Sequence, residues 1–185
     1  AKGAAIALVT KREIGEVHVA LPGGEEAVLT IQGCVMEDRW ARCYVIKDAG
    51  DDPDVTHGAE IVATLWLGEE APPRVGRLKG RGFHFAFPSP LDIDFRVEGG
   101  EGVGWVTKPG LPVEVGRPAI NPVPLQMIVC EVEKVLHEHF SSVPPGSLKA
   151  AVTIPRGEEL ASHTLNDRLG IQGGLSILGT TGIVY

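Results

Sequence analysis

The sequence contains no CxxC pair, and its three cysteines, Cys34, Cys43 and Cys130, are an odd number at wide spacing. That excludes a disulfide framework and a clustered zinc site, and it makes a reducing cytoplasm the expected compartment. GxSxG, HExxH and Walker patterns are absent, so the familiar serine hydrolase, zinc protease and P-loop chemistries are not expected. No apolar run approaches the ~20 residues that a spanning helix needs, and no charged segment followed by an apolar one opens the chain. Neither membrane insertion nor export is expected. An excess of positive charge is also lacking: 17 Lys and Arg stand against 24 Asp and Glu, for a formal net charge of -7. Bulk attraction to nucleic acid or to an anionic membrane is thereby disfavoured, and an anionic ligand would need a local basic patch.

With 185 residues, 43% of them hydrophobic and 22% charged, the chain has the composition of a globular protein. Residues 1–185 read as a single α+β domain, within the ordinary range of about 100 to 200 residues. Alternating apolar positions predict strands at 16–21, 27–32, 36–46, 60–67 and 91–97, the last with Leu91, Ile93, Phe95 and Val97 on one face and Asp92, Asp94 and Arg96 toward water. One long helix is predicted over 121–140, its stripe running from Leu125 through Ile128, Val129, Val132, Val135 and Leu136 to Phe140. Asn121 is its expected N-cap and Pro122 its first residue. A strand at 148–154, a short helix at 157–165 and a glycine-rich terminal strand follow. The expected fold is α+β, a mixed or antiparallel sheet covered by one long helix. The opening "AKGAAIALVT" reads as the tail of an alanine-rich helix, and the closing "GGLSILGTTGIVY" as a short apolar strand running into a glycine turn, as at the start of an alternating strand and helix unit. Both ends predict a segment of a longer protein.

Three stretches carry candidate chemistry. The first, "DAGDDPDVTHG" at 48–58, holds four aspartates and His57. As a calcium loop it fails in both registers, since starting at Asp48 puts Gly50 where a ligand is needed and starting at Asp52 puts His57 where glycine is required. A magnesium site, and with it a magnesium-dependent hydrolase, stays open. So does a simple turn, because Asp and Pro are good turn formers. Several like charges held close need something to offset them, and they favour a protonated His57 or one acting as a base. The second stretch, "PPRVGRLKGRG" at 72–82, sets Arg74, Arg77, Lys79 and Arg81 together in an acidic chain. It is either a solvated loop or a grip for carboxylates or phosphates, and the latter would suit a non-catalytic polyanion-binding module equally well. RNA binding is not expected, because no aromatic residue interleaves with these cations before Phe83. The third, "VTKPGLPVEVGRPAINPVP" at 106–124, has five prolines and two glycines in nineteen residues. It is a stiff connector carrying Lys108, Arg117 and Asn121, the kind of backbone that pre-organises ligand groups. "GGEGVGW" at 99–105 lacks the helix that a dinucleotide fingerprint requires.

The blocks "IKDAGDDPDVTHGAEIVAT", "GGEGVGWVTKPGLPVEVGRPAINPVP" and "NDRLGIQGGLSILGTTGIV" closely resemble those of the cobalt-precorrin-5B C1-methyltransferase family, known as CbiD, of anaerobic cobalamin biosynthesis. Leu125 and Gln126 stand where the family pattern carries basic residues, and Asp167 where it carries proline. The resemblance implies methyl transfer from S-adenosylmethionine to carbon 1 of a cobalt corrinoid, whose cobalt belongs to the substrate, so that no resident metal is expected. It also implies a second α/β domain, with residues about 170–185 as the hinge or first strand toward it. Under that reading Asp48, Asp51, Asp52 and His57 are the candidate catalytic residues, and Arg74, Arg77, Lys79, Arg81, Lys108, Arg117 and Asn121 the candidate contacts to the substrate, the cations meeting its acidic side chains. Gly179, Thr180 and Thr181, at a turn after a strand, are the expected methyl-donor contacts. The corrinoid is the expected partner; homo-oligomerisation is left open. Taken together, these segments predict that an acidic and a cationic stretch face one hollow.

Overall fold

A computed structural model describes residues 1–51, 53–139, 141, 144 and 146–178. Its centre is a six-stranded sheet ordered β3-β4-β5-β9-β7-β6, formed by Gly33–Met36, Trp40–Ile46, Glu60–Leu67, Gly146–Thr153, Ile93–Gly99 and Phe83–Phe87 respectively. All neighbours are antiparallel except β7 and β9, so the sheet is mixed. A separate hairpin pairs β1 (Glu16–Ala20) with β2 (Glu26–Thr30).

Strand periodicity sorts the side chains. On one face Cys43, Leu65, Ala150, Val97, Phe95 and Phe87 enter the main core together with α1 (Lys2–Thr10) and α2 (Pro122–Glu138). The predicted stripe on α2 is buried at Val129, Val132, Val135 and Leu136; Phe140 lies outside the described residues. Two helices, not one, cover this face, because the alanine-rich opening forms α1, whose Ala4, Ala5 and Ala7 are fully buried. Small side chains let α1 lie close to both α2 and the sheet. Glu131, on the buried side of α2, is held by Lys2 at 2.8 Å and Lys134 at 2.7 Å, which is how a carboxylate survives there. On the opposite sheet face a smaller cluster of Trp66, Val75 and Ala151 is packed against by Trp40 and Leu78, so part of the 68–82 connection lies across the sheet.

Three sequence expectations are corrected. The strand at 36–46 is a hairpin, β3 and β4 joined at Asp38 and Arg39 and closed by the Glu37 amide donating to the Trp40 carbonyl at 2.8 Å. The two polar residues between apolar runs form a tight turn that periodicity alone runs through. β6 is an additional strand, in which Phe83, Phe85 and Phe87 alternate as an edge strand should and pair with β7. The helix at 157–165 is shorter, ending as α3 (Gly157–Ala161) where Thr164 turns its hydroxyl back to the Ala161 carbonyl at 2.8 Å, and a separate single turn, α4 (Asn166–Leu169), follows it. Short strands β8 (Trp105–Val106) and β10 (Ile171–Gln172) pair with each other, and Leu175 and Ile177 make isolated parallel bridges to Val103 and Ile120 in place of a terminal strand.

Candidate functional site

Strand direction gathers the nominated segments at one end of the sheet. β4 ends at Ile46 opposite the first residue of β5, Glu60; Val62 pairs with Thr153 at the end of β9; Val152 pairs with Gly99 at the end of β7; and Phe83, the first residue of β6, pairs with Val97. The loop at 47–59, residues 79–82, the connector at 100–121 and the turn after Thr153 therefore all leave the same edge. This edge is the C-terminal end of the only parallel pair among the described strands, where ligands commonly bind in α/β sheets. From β5 to β7 is two strand spacings, about 10 Å.

The acidic loop is built from local bonds. Asp48 accepts the Gly50 amide at 2.9 Å, and Asp54 accepts both the amide and the hydroxyl of Thr56, at 2.8 and 2.7 Å. Lys47 donates to Asp54 and to Thr56, and is the cation that offsets the charge of this loop. Its hydrogen bond, followed by those of Thr56, takes the Asp54 carboxyl down to about 2. The Ala49 amide donates to His57 Nδ1 at 3.2 Å. The same nitrogen lies 3.7 Å from Asp48 Oδ1, so His57 folds back onto the start of its own loop. Asp51 is exposed, and Asp52 lies outside the described residues. Among the described residues no group of three His, Cys, Asp or Glu side chains could hold a metal ion.

The cations divide into two kinds. Lys79 donates to Glu158 and to the Gly173 carbonyl and lies 5.2 Å from the centre of the Trp105 ring. Arg117 donates to Glu114 at 3.0 Å and to the Gly82 carbonyl at 2.8 Å, over the ring of Phe83. These two stitch loops together. Arg81 and Lys108 are exposed, and neither side chain makes a hydrogen bond or ion pair among the described residues. The Arg81 amide donates to the Gly116 carbonyl at 2.7 Å, which anchors the backbone and leaves the guanidinium outward. Lys108 has its stem under Gly170. Arg74, exposed at a φ of 64°, is close enough to Arg42 to help burial lower that guanidinium's pKa. Arg77 is exposed as well.

Asn121 occupies the N-cap position of α2 but makes no side-chain cap bond. The cap's usual donor is the amide three residues on, and Pro124 has none. Instead the Asn121 amide donates to the Ile177 carbonyl at 2.9 Å. Gly179, Thr180 and Thr181 lie outside the described residues. The glycines at 99–104 are not an open cradle: a Cβ on Gly102 would fall 1.9 Å from the Ile154 carbonyl oxygen, and one on Gly104 2.8 Å from that of Gly174. They let three backbones touch.

Several residues at or beside this end carry no clear signal in the sequence. Glu98, near the end of β7, is half-buried, with Gly82 so close that a Cβ there would sit 2.3 Å from Oε2. Burial pushes its carboxyl up, against the pull of Lys149 and Arg96. Its place in the alternating strand "IDFRVEG" suggests ordinary solvent exposure, and only the covering loop changes that. Trp105 and Glu158 escape notice because their partners are distant in sequence. On the helix side, a mostly apolar cavity of about 260 Å³ lies between α1, α2 and the β1-β2 hairpin, with Cys43, Val45, Ile61 and Ile177 in its wall.

A mixed sheet with an acidic loop and a cationic segment leaving the same end defines an α+β unit. The family model described as CbiD matches residues 1–185, and the chain belongs to that family. Among its relatives, a protein of Geobacter metallireducens named cobalt-precorrin-5B C(1)-methyltransferase is 51% identical over 185 residues, which are 100% of this chain and 45% of that protein. One of the same name from Geotalea daltonii is 50% identical with the same coverage. A crystal structure of a cobalamin biosynthesis protein (cbiD) from Archaeoglobus fulgidus is similar at a TM-score of 0.58 and 27% identity, covering 97% of this chain and 48% of that one. The chain thus spans about half the length of the relatives it matches.

Proposed function

We propose that this chain is the substrate-gripping part of a cobalt-precorrin-5B C1-methyltransferase, the activity for which its relatives are named. The observation that supports this most is the pairing of free cations, Arg81 and Lys108, with a self-braced acidic loop at the same end of the sheet. A corrinoid precursor carries several carboxylates around a wide ring. Arg81 and Lys108, together with the exposed Arg74 and Arg77, would meet these carboxylates, while Lys79 and Arg117 keep the loops in place. The binding-module and hydrolase readings have no observation of their own behind them.

S-Adenosylmethionine supplies the methyl group: its carbon–sulfur bond breaks as a bond to the ring carbon forms, the ring giving the electron pair and sulfur keeping the other. Such an in-line displacement asks the protein for position and dryness, worth about 7 to 11 kcal/mol when alignment is good. The side chains suit a cationic donor with ribose hydroxyls. Asp51 is exposed, Asp48 has an oxygen to spare, and His57 keeps Nε2 outside its contact with the Ala49 amide. Asp52, Gly179, Thr180 and Thr181 are proposed as further contacts to the methyl donor, and Asn121 as a contact to the substrate. Calorimetry on the full-length protein with S-adenosylmethionine and S-adenosylhomocysteine tests the reading. Binding of both, with methylation of the cobalt corrinoid, is expected; binding of neither overturns it.

A further inference from the structure

Cys34 on β3 and Cys43 on β4 stand directly opposite each other, with their sulfurs 2.8 Å apart. The hydrogen-bonding phase of this hairpin is set at its turn. Glu37 and Trp40 form a closing pair joined by a backbone bond, so Val35 opposite Arg42 is the next hydrogen-bonded pair, and Cys34 opposite Cys43 falls at a non-hydrogen-bonded position. At such positions the Cα atoms approach to about 4.5 Å, inside the span of roughly 4.4 to 6.8 Å that a disulfide bridges. Both side chains point to the helix-covered face. Cys43 is 4% exposed and lines the apolar cavity under α1, whereas Cys34 is half-buried on the outermost strand.

We propose that Cys34 and Cys43 are a redox-active pair that closes to an intramolecular disulfide in the presence of hydrogen peroxide and reopens with a thiol reductant. The more accessible Cys34 sulfur attacks one peroxide oxygen; the O–O bond breaks, one water leaves, and a sulfenic acid remains. The Cys43 sulfur then attacks that sulfur, giving up its proton as the S–O bond breaks and a second water leaves. Two thiols are oxidised by two electrons and one peroxide is reduced to two waters. Burial, followed by the contact with Cys34, pushes the Cys43 thiol up, which fits its acting second. Cys130 has a different environment, on α2 with its sulfur accepting from the Gln126 amide at 3.1 Å. The chemistry of the pair is independent of the proposed methyl transfer.

The test treats the full-length protein with graded peroxide, blocks remaining thiols, digests with trypsin and maps peptides by mass. Trypsin cleaves after Arg39 and Arg42, so a Cys34–Cys43 bond joins two otherwise separate peptides until a thiol reductant parts them. The expected result is that linked species as the first product, unchanged in Cys130→Ala and lost in Cys34→Ala. A protein that stays folded by circular dichroism but accumulates over-oxidised Cys34 with Cys43 still open to alkylation overturns the proposal. So does a first-formed bridge to Cys130. Because the bond is read directly in the wild-type peptide map, the outcome decides the matter even if Cys34→Ala does not fold.

Discussion

Lys47 and Asp54, at opposite ends of the acidic loop's first turn, bind each other and share Thr56 as a common partner. This contact turns a cluster of aspartates into a braced loop. Because the folded Asp54 carboxyl lies at about 2, below its ordinary value near 3.9, its contribution is complete above pH 4 and is lost as pH falls toward 2. The pair is about a third exposed, so solvent screening limits Asp54→Asn to a loss of about 1 kcal/mol at neutral pH. Urea denaturation of both proteins should show that difference at pH 7 and none near pH 2. A constant difference across the range would mean that charge is not what holds the loop.

The glycine block gives a sharper contrast. Gly102 has a φ of 74°, and an added Cβ would collide with the Ile154 carbonyl oxygen at 1.9 Å, between backbones that cannot retreat. Gly102→Ala should cost at least about 3 kcal/mol, combining a left-handed residue with overpacking. Gly23, with no heavy atom within 4 Å, should tolerate Ala within about 0.5 kcal/mol. Equal losses in chemical denaturation would show that 99–104 is not the tight junction described.

Much of this is legible in the sequence where a rule of one period applies. The apolar stripe of α2, the alternation of β5 and β7 and the turn-forming character of the acidic loop follow from side-chain spacing alone. What cannot be read is contact across sequence distance. Lys79 meets Glu158 and Trp105 only because β8, β10 and α3 converge, so a cation expected to meet a ligand is committed to the protein itself. The same convergence explains the glycines at 99–104, whose pattern resembles a nucleotide loop but whose neighbours are carbonyl oxygens. The contact of the Ala49 amide with His57 is hidden for a related reason, since the loop's side chains are visible in the sequence and the direction of that amide is not.

The division among cations predicts separable phenotypes. Arg81 and Lys108 make no side-chain bonds among the described residues, so Arg81→Ala and Lys108→Ala should leave stability within about 0.5 kcal/mol. Each should weaken corrinoid binding about tenfold, by loss of a charge-assisted contact, and the effect should shrink with added salt. Arg117→Ala should instead lower stability by about 1 to 2 kcal/mol, because it removes the bonds to Glu114 and Gly82 and the stacking on Phe83. Titration calorimetry and urea melts on the three variants decide this. Destabilisation by Arg81→Ala with unchanged binding would reverse the assignment.

Glu98 is the residue whose chemistry and stability should pull in opposite directions. Its carboxyl is half-buried against Gly82 and accepts no hydrogen bond among the described residues, and burial raises its folded pKa above that of the unfolded chain. For a raised carboxyl the unfolded state releases its proton first, so stability is full below about pH 4.3 and declines as pH rises through the folded value. Glu98→Gln removes that cost and keeps the shape. It should therefore match the natural protein near pH 4 and exceed it at pH 7 by up to about 1 kcal/mol, in urea denaturation at the two pH values. A half-buried carboxylate kept at such a cost, near the end of β7 proposed to face the ligand, is what a functional group looks like when stability is traded for use. On that argument Glu98→Gln in the full-length enzyme should lose methyl transfer while gaining stability. Full activity in a stabilised Glu98→Gln protein would leave the carboxylate without a role in the reaction, and a variant less stable at both pH values would show that the attraction of the Lys149 and Arg96 charges outweighs burial.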